Sequence, residues 1–405
     1  MVYLHVPFCR SFCSYCDFYS EIACKERDVL LFEAYTKAVC AEAARRRDEI
    51  EATRDLDTFY IGGGTPSVLP LALFQHLVCS IGQPATPRAP TRGHAPFVEF
   101  TVEVNPEDIV EKGEEYVRGL LDLGVNRISM GVQSLDDGIL RWMNRRHDAA
   151  RARQAFRILR DAGARNISVD LIFGLSQLTE DIFSRTLDEV LAWRPEHISA
   201  YQLSIEEGSA LGRLVREGRY SEAPQEQCAA QYALLCERLR AAGYVHYEIS
   251  NWALPGREAV HNSAYWTRHP YVGLGPSAHS FDGTVRSWNS CHPPRSGELP
   301  PETSGCAGPL PSDDGPLPLT VPRVAGFREA VAACAGGSEQ LSAAEAREEE
   351  IFLGLRTARG VTEDLLPKEK AAGMLADGRL VRVEDRLRIP EGYWFVSDGI
   401  IAELL

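Results

Sequence analysis

The sequence predicts an α/β fold, namely a partial (β/α)6 TIM-like barrel followed by a small C-terminal α+β module with a winged-helix-like order of elements. Three observations support this prediction. Six short apolar strand candidates alternate with amphipathic helix candidates. Helices of that length between strands imply a parallel sheet with right-handed crossovers. Polar residues and glycines close several strands, and barrels carry their ligands at the C-terminal ends of strands.

The barrel units begin at the first residues of the chain. The strand candidates are apolar and bounded by turn signals, while the helix candidates repeat apolar residues at helical spacing, as Leu31, Tyr35 and Val39 do. The predicted strands cover residues 2–6, 58–62, 98–104, 127–132, 167–174 and 197–203, and the predicted helices cover residues 28–54, 71–81, 116–123, 149–162 and 180–192. We therefore assign residues 1–290 to the barrel and its extension.

The remainder of the chain divides into a linker and a C-terminal module. Residues 291–322 are rich in Pro, Gly and Ser and carry no period, which predicts a flexible linker, and residues 83–96 show the composition of an inserted loop. Residues 323–405 form the predicted C-terminal module. Its elements are helices at 343–357 and 367–377 and a hairpin at 379–390.

Composition and charge argue against several classes of protein. The 405-residue chain has a formal net charge of −14 and a pI of about 5.3, which argues against a general nucleic-acid binder. Three consecutive glutamates at 348–350 favour a packing or interaction role for the C-terminal module over DNA binding. No signal peptide is apparent, and no apolar run approaches the roughly 18 residues that a transmembrane helix needs. Eleven cysteines without a paired framework indicate a reducing compartment, so we expect a cytoplasmic protein.

The loop after the first strand holds three cysteines in the spacing C-x3-C-x2-C, at Cys9, Cys13 and Cys16. A zinc site usually needs four soft ligands, and no second cysteine pair lies nearby. Three thiolates can hold three irons of a [4Fe–4S] cluster and leave the fourth iron open. The amino and carboxylate groups of S-adenosylmethionine can chelate such an iron. Two other interpretations stay open: three unrelated buried thiols, or a zinc site completed by His5.

A glycine run, Gly62-Gly63-Gly64-Thr65, follows the second strand. Three glycines free the backbone to approach a ligand closely and expose its N–H donors. A tight turn without a ligand is the alternative interpretation of the same four residues.

Polar side chains mark the next three strands. Glu103 lies near the end of the third strand, Gln133 follows the fourth, and Asp170 lies inside the fifth. An aspartate in an apolar strand is costly to bury unless it is paired, and we predict Arg145 as its partner. Each residue alone is as readily structural as functional, but their succession along the barrel indicates a ligand site.

Taken together, these residues resemble the radical S-adenosylmethionine superfamily. The resemblance implies a barrel of the radical-SAM type, in which Cys9, Cys13 and Cys16 hold the cluster. Gly62 lies in the stretch that matches the family's methionine-binding glycine motif, and His5 matches a histidine beside the cluster, to which we assign a catalytic role. Positions that match contacts to one adenosylmethionine are Tyr3, Tyr15, Gly63 and Glu103, and those that match contacts to a second are Gly64, Thr65, Gln133, Arg145 and Asp170.

A narrower resemblance is to oxygen-independent coproporphyrinogen III oxidase and its relative, the HemW haem chaperone. The oxidase carries a further cysteine where this chain has Phe18, and an aromatic residue there is typical of the chaperone branch. The stretch His261-Asn-Ser-Ala-Tyr265-Trp266 matches that branch's HNxxYW motif, which makes His261 the candidate haem ligand. A capping or core role for His261 is the alternative. The rival ligands are His246, His269 and His279.

The narrower resemblance implies a haem chaperone that binds haem, a [4Fe–4S] cluster and S-adenosylmethionine and transfers haem to an acceptor protein. The alternative is a coproporphyrinogen oxidase, in which a radical derived from S-adenosylmethionine abstracts hydrogen from a substrate propionate. A binding protein with a purely structural cluster is a third hypothesis, which the nucleoside-site residues disfavour. The expected partners are a haem-accepting protein and an electron donor such as a flavodoxin or ferredoxin, with transient membrane association through the acceptor and no nucleic acid.

Overall fold

The computed structural model of the chain describes residues 1–23, 28–82, 97–290 and 336–405. It confirms the predicted α/β partial barrel, because six parallel strands lie side by side in chain order. These strands are β1 (Val2–Val6), β2 (Thr58–Gly63), β3 (Glu99–Val104), β4 (Arg127–Gln133), β5 (Ile167–Phe173) and β6 (His197–Gln202). Each begins within one residue of its predicted start.

Three short strands widen the sheet at both edges. β7 (Val245–Glu248) and β8 (Asn251–Ala253) form an antiparallel pair beside β6, and β9 (Val272–Leu274) pairs in parallel with β1. The order across the nine-stranded sheet is β9-β1-β2-β3-β4-β5-β6-β8-β7. The sequence does not predict these three strands, because runs of three or four residues are too short to show a period.

Helices connect the strands, and two of them differ from the prediction. The helix predicted at 28–54 is interrupted at Arg46, where the backbone leaves helical geometry. The helix predicted at 116–123 begins earlier, at Pro106, because proline suits the first helical position. The prediction missed this first part because Gly113, which has a φ of 69°, interrupts the apolar pattern before residue 116. The connecting helices are Val29–Arg45, Arg47–Ala52, Leu71–Ile81, Pro106–Asp122, Ala149–Asp161 and Glu180–Trp193.

The pleat of the strands separates an apolar outer face from a polar interior. Successive side chains of a strand point to opposite faces of a sheet. In β4, Ile128, Met130 and Val132 are buried in the hydrophobic core, whereas Arg127 and Ser129 line a cavity inside the barrel. The other strands of the barrel repeat this alternation, so their inward faces build the site.

Shorter elements close the barrel and hold its loops. The strand Phe8–Cys9 pairs with Glu21–Ile22 and so closes the cysteine loop at its base. The remaining elements up to residue 266 are the 3-10 helix Pro66–Val68 and the helices Asp137–Trp142, Ala210–Arg216, Gln225–Ala241 and Val260–Trp266. No helix within the described ranges is long and apolar enough to cross a membrane.

The C-terminal part contains the predicted two helices and hairpin, with the first helix ending three residues early, and adds further elements. Its helices are Ala343–Gly354, Lys368–Ala376 and Ser397–Leu404, with 3-10 turns at Glu363–Leu365 and Glu391–Val396. The strands Val361–Thr362, Val381–Val383 and Arg386–Arg388 form one small sheet, and Gly337–Gln340 joins the strands His279–Phe281 and Val285–Trp288 of the barrel extension in another. The inserted loop 83–96 and the predicted linker 291–322 lie outside the described residues, so the predicted domain boundaries stay a prediction.

Candidate functional site

A cavity of about 570 Å³ fills the barrel interior, within the size range of ligand pockets in proteins. It extends from the cysteine loop at the C-terminal ends of the strands to the helix Val260–Trp266. The predicted site residues that line it are Tyr3, Cys9, Cys13, Tyr15, Cys16, Gly63, Gly64, Thr65, Glu103, Gln133, Arg145, Asp170 and His261. His5 and Gly62 lie directly behind the wall, as described below.

The cysteine loop is held against the barrel by backbone hydrogen bonds. The Ser14 N–H donates to the Met143 carbonyl at 3.2 Å, and the Ser14 carbonyl accepts from the Leu211 N–H at 2.8 Å. The Cys9 thiol accepts a weak hydrogen bond from Thr65 Oγ1 at 3.7 Å. Burial raises the pKa of the Cys9 thiol to about 11. The loop therefore presents its thiols from a fixed backbone, as a cluster site requires.

The structure argues against a zinc site made by the loop and His5. A single zinc ion draws its ligand atoms to about 2.0–2.3 Å from the metal, which brings them close to one another. Among the described residues, no three ligand atoms of Cys9, Cys13, Cys16 and His5 lie within 4.8 Å of one another. Cys9, Cys13 and Cys16 line one cavity, and three thiolates can hold three irons of a polynuclear cluster, so the donor set fits a [4Fe–4S] group.

His5 lies behind the glycine run and has both ring nitrogens engaged. Its Nδ1 lies 3.1 Å from the Tyr3 hydroxyl, and its Nε2 lies 2.9 Å from the Tyr19 carbonyl oxygen. Burial lowers its pKa, so the ring is neutral. These contacts give His5 a place beside the glycine run, while its catalytic role stays a prediction.

The glycine run packs directly on the cysteine loop. Gly63 has a φ of 107°, and a Cβ on it would lie 2.5 Å from His5 Nδ1. A Cβ on Gly64 would lie 2.6 Å from the Phe8 carbonyl oxygen. A Cβ on Gly62 would lie 2.8 Å from a Glu103 carboxylate oxygen. The run is thus more than a turn, because each glycine permits a close approach that a side chain would block.

Glu103 is the acidic group nearest the glycine run. Its carboxylate accepts hydrogen bonds from the Tyr60 hydroxyl at 2.7 Å and from the Gly63 N–H at 3.1 Å. Complete burial raises its pKa to about 7 in spite of these donors. A carboxyl with such a pKa can accept a hydrogen bond from a bound amino or hydroxyl group and exchange a proton near neutral pH.

Arg145 joins the cysteine loop to the strand ends. Its guanidinium donates to the Cys13 sulfur at 3.4 Å, to Asn105 Oδ1 at 2.7 Å and to the Gly131 carbonyl at 2.8 Å. The predicted pairing with Asp170 is wrong, because these three contacts hold the guanidinium at the cysteine end. Within the described residues, its buried Nε has no hydrogen-bond partner.

Gln133 ends β4 in a strained conformation. Its φ is 65°, in the left-handed region that a non-glycine residue rarely adopts, and the pairing with β5 shifts register between Gly131 and Gln133. The side chain lines the cavity. Strain of this kind at a cavity wall is typical of positions that contact a ligand.

Asp170 lies deeper in the barrel and is satisfied by serines. It accepts from Ser129 Oγ at 3.1 Å and from Ser168 Oγ at 3.3 Å. Burial raises its pKa, and the positive charge of Arg127 opposes that rise. Sequence reasoning missed Arg127, Ser129 and His197, which also line the cavity. Their polar character at alternating strand positions was the available signal.

The HNxxYW helix closes the opposite end of the barrel. Its first N–H groups, on Val260 and His261, donate to the Glu99 carboxylate at 2.8 and 3.0 Å. His261 Nδ1 lies 2.8 Å from Thr58 Oγ1, and its Nε2 lies 3.1 Å from the Tyr265 hydroxyl. Thr58 and Glu99 are the first residues of β2 and β3, so His261 and the cysteines are separated by the length of the strands.

His261 is a neutral, enclosed imidazole. Burial lowers its pKa to about 3. Tyr265 also lines the cavity, whereas the buried Trp266 Nε1 has no partner in the described part of the chain. None of the rival histidines lines the cavity. At the other end Phe18, which replaces the second cysteine of the oxidase pattern, lines the mouth with 67% of its surface exposed.

Comparison with known proteins gives consistent results. The model of the Radical SAM superfamily matches residues 3–190. The whole chain aligns over 410 residues with a protein of Mycobacterium tuberculosis named heme chaperone HemW, at 32% identity and 94% coverage of that protein. Heme chaperone HemW of Bacillus subtilis is 31% identical over 361 residues, which cover 89% of this chain and 84% of that one.

A more distant relative and a solved structure extend the comparison. The mitochondrial radical S-adenosyl methionine domain-containing protein 1 of Danio rerio is 32% identical over 69% of this chain and 60% of its own length. Coproporphyrinogen III oxidase (HemN) of Escherichia coli superposes with a TM-score of 0.71 over 100% of this chain and 89% of that one, at 18% identity. This last likeness shows a shared fold.

Proposed function

The chain belongs to the HemW family of the radical S-adenosylmethionine superfamily, and from that membership we propose that it is a haem chaperone. It binds haem, a [4Fe–4S] cluster and S-adenosylmethionine, and transfers haem to an acceptor protein. The observation that carries the proposal is the cavity, which joins the cysteine loop to the HNxxYW helix in a chain that is similar to haem chaperones over its full length.

The cluster would be held by Cys9, Cys13 and Cys16. When bound, it supplies one-electron chemistry and an iron open to a further ligand. The Gly63 backbone, the Glu103 carboxyl and Arg145 line the same cavity as the thiols and would orient an amino-acid ligand there. Arg145 also donates a hydrogen bond to the Cys13 sulfur at 3.4 Å, which fixes the position of that sulfur in the loop.

His261 is the proposed haem ligand. A metal-binding imidazole must be neutral, and burial already keeps the ring of His261 in that state. Its Nδ1 is fixed by Thr58, as the second nitrogen of a metal ligand usually is. Its Nε2 faces the Tyr265 hydroxyl, so haem binding requires that hydroxyl to turn away. The Tyr265 hydroxyl would therefore compete with the haem iron for Nε2 of His261.

Phe18 gives the cavity mouth an apolar surface. It is exposed, and its ring offers a face on which a flat macrocycle can pack. The acceptor of the haem, an electron donor such as a flavodoxin or ferredoxin, and transient association with a membrane through the acceptor belong to the same proposal.

Haem titration of anaerobically reconstituted variants tests the role of His261. We expect stoichiometric uptake by the wild type, its loss in His261→Ala, and an unchanged Soret band in the control His279→Ala. Tyr265→Phe removes one neutral hydrogen bond from Nε2, worth about 0.5–1.5 kcal/mol, and should tighten binding by roughly two- to tenfold. An unchanged Soret band and affinity in His261→Ala would remove this histidine from the proposal.

Coproporphyrinogen oxidation is the second candidate function. The positions that match a second adenosylmethionine in the oxidase, among them Gln133, Arg145 and Asp170, all line the same cavity as the cysteines. Formation of 5′-deoxyadenosine that depends on added coproporphyrinogen III would support this candidate. Its absence, with haem binding intact, would favour the chaperone.

A further inference from the structure

A second cluster of metal-ligating side chains lies outside the barrel cavity, where the C-terminal module meets the barrel extension. The thiol of Cys236, a ring nitrogen of His246 and a carboxylate oxygen of Glu391 all lie within 4.8 Å of one another. They come from the helix Gln225–Ala241, from β7 and from the 3-10 turn Glu391–Val396, so the fold, not a local motif, brings them together. In the described part of the chain, no other three such atoms converge as closely.

We propose that Cys236, His246 and Glu391 form a zinc site that fastens the C-terminal module to the barrel extension. Thiolate, imidazole and carboxylate are the three ligand types that zinc takes in proteins. A ligand set that includes a thiolate disfavours magnesium and calcium, which prefer oxygen alone. Three protein ligands leave a fourth position, which water can fill because about a third of the Glu391 side chain is exposed.

The surroundings of the three side chains match those of a metal site. A ligating imidazole usually donates its other N–H to a carbonyl or carboxylate, and a ligating carboxylate is usually hydrogen-bonded in turn. Here His246 Nε2 lies 3.4 Å from the Ile249 carbonyl, which leaves Nδ1 toward the cluster. Arg240 donates to Glu391 Oε2 at 2.7 Å, which leaves Oε1 toward the cluster.

The hydrogen bonding of His246 is incomplete without a cation. Its Nδ1 lies 3.0 Å from Glu391 Oε1, and its Nε2 faces a carbonyl, so both nitrogens meet acceptors. A neutral imidazole has only one N–H to donate, so one of the two nitrogens then faces an acceptor without a proton. A cation bound between Nδ1 and Oε1 satisfies the nitrogen that has no proton.

Aromatic packing fixes the orientation of the imidazole. The Trp252 ring stacks on His246 at a centroid distance of 4.0 Å, and the Trp394 ring meets it edge-on at 4.2 Å. Trp394 belongs to the same turn as Glu391. The ring therefore cannot swing away from the carboxylate without unpacking the C-terminal turn, which gives the site the rigidity that zinc binding favours.

Zinc content and zinc-edge X-ray absorption of the full-length protein test the proposal. The cluster is first reconstituted, so that Cys9, Cys13 and Cys16 are occupied, and loosely bound metal is removed with a weak chelator. We expect one zinc per chain with one sulfur and several nitrogen or oxygen neighbours. Cys236→Ser and Glu391→Gln should lose it, and Arg240→Ala, which removes only a supporting contact, should weaken binding about tenfold. Cys228→Ser, a buried cysteine on the same helix, is the matched control and should keep the metal.

Each outcome bears on the site independently of haem binding. Zinc that also raises the melting temperature of the wild type and of Cys228→Ser, but not of Cys236→Ser, would support a metal that fastens the module. Zinc that is absent, or that stays bound in both Cys236→Ser and Glu391→Gln, would overturn the proposal. Unchanged cluster absorbance in all variants shows that they are folded, which keeps the comparison valid if one substitution is disruptive.

Discussion

At the C-terminal ends of the strands, the barrel interior carries a strained residue and an exposed aromatic ring, whereas at the N-terminal ends His261 and Glu99 are held in hydrogen bonds. Arg145 Nε has no partner in the described residues, Gln133 is strained, and Phe18 is exposed. At the other end, both nitrogens of His261 and both oxygens of Glu99 are engaged. The cysteine end is therefore arranged for ligands, and the His261 end for closure.

This difference separates two motif matches that carry similar weight in the sequence. The cysteine and glycine motifs meet each other in a geometry that a packing role alone does not explain. The HNxxYW motif also has a structural role, because its His261 side chain bonds to Thr58 of β2 and its helix N-terminus bonds to Glu99 of β3. A substitution at the cysteine end should therefore change cluster loading, and one at the His261 end should change stability as well as haem binding.

The largest expected effect is on the cluster. Cys13→Ala removes one of three thiolates and should abolish loading of a [4Fe–4S] cluster, because the remaining two cannot hold it. His261→Ala should keep loading at the wild-type level, since the hydrogen bonds of the His261 ring go to Thr58 and Tyr265 and not to the cysteine loop. Iron and sulfide content per chain measures both. Cys79→Ala, an exposed cysteine, serves as the control. Loss of the cluster in His261→Ala would show that the His261 end of the barrel affects cluster loading at the cysteine end.

The next effect is on stability at the glycine run. Gly63→Ala forces an alanine into a left-handed conformation and drives its Cβ against His5, which together should cost roughly 2–5 kcal/mol. Gly378 has a φ of 81°, and a Cβ on it would meet no atom within 4 Å. Gly378→Ala therefore measures the cost of the backbone conformation alone. Equilibrium unfolding of both variants measures the difference. Equal losses would mean that the contact with His5 contributes nothing.

A somewhat smaller effect is expected at the closed end. His261→Ala leaves Thr58 and Tyr265 without their buried partner, which should cost about 2–4 kcal/mol of unfolding free energy. Tyr265→Phe removes only one of these hydrogen bonds and should cost about 1 kcal/mol. A His261→Ala protein as stable as the wild type would show that this helix does not stabilise the closed end of the barrel through His261.

The smallest effect is a pH dependence at Glu103. Its folded pKa of about 7 lies above the ordinary 4.5, so the stability that the protonated carboxyl provides below pH 4.5 is lost as the pH rises through 7. The unfolding free energy of the wild type relative to Glu103→Gln should fall by about 1–3 kcal/mol across that window and then level off. A difference that is flat between pH 4.5 and 8 would show that the carboxyl titrates normally.

Local pattern and resemblance predicted the fold, and they named residues that the structure brings together around one cavity. Six strands were placed because their apolar runs and the helices between them are long enough to show a period. The contacts of Arg145 were not predictable, because its choice of Cys13 over Asp170 depends on how two strands and a loop meet in space. The sequence does not predict the proposed zinc site for the same reason, since Cys236 and Glu391 lie far apart in the chain and belong to no common motif.

A pair of assays on one anaerobically reconstituted preparation distinguishes a haem chaperone from a porphyrinogen oxidase. One assay follows haem uptake, and the other supplies coproporphyrinogen III with S-adenosylmethionine and follows protoporphyrinogen. We predict stoichiometric haem uptake with no protoporphyrinogen. Turnover to protoporphyrinogen without stable haem binding would contradict it and make Phe18 a neutral replacement for the oxidase cysteine.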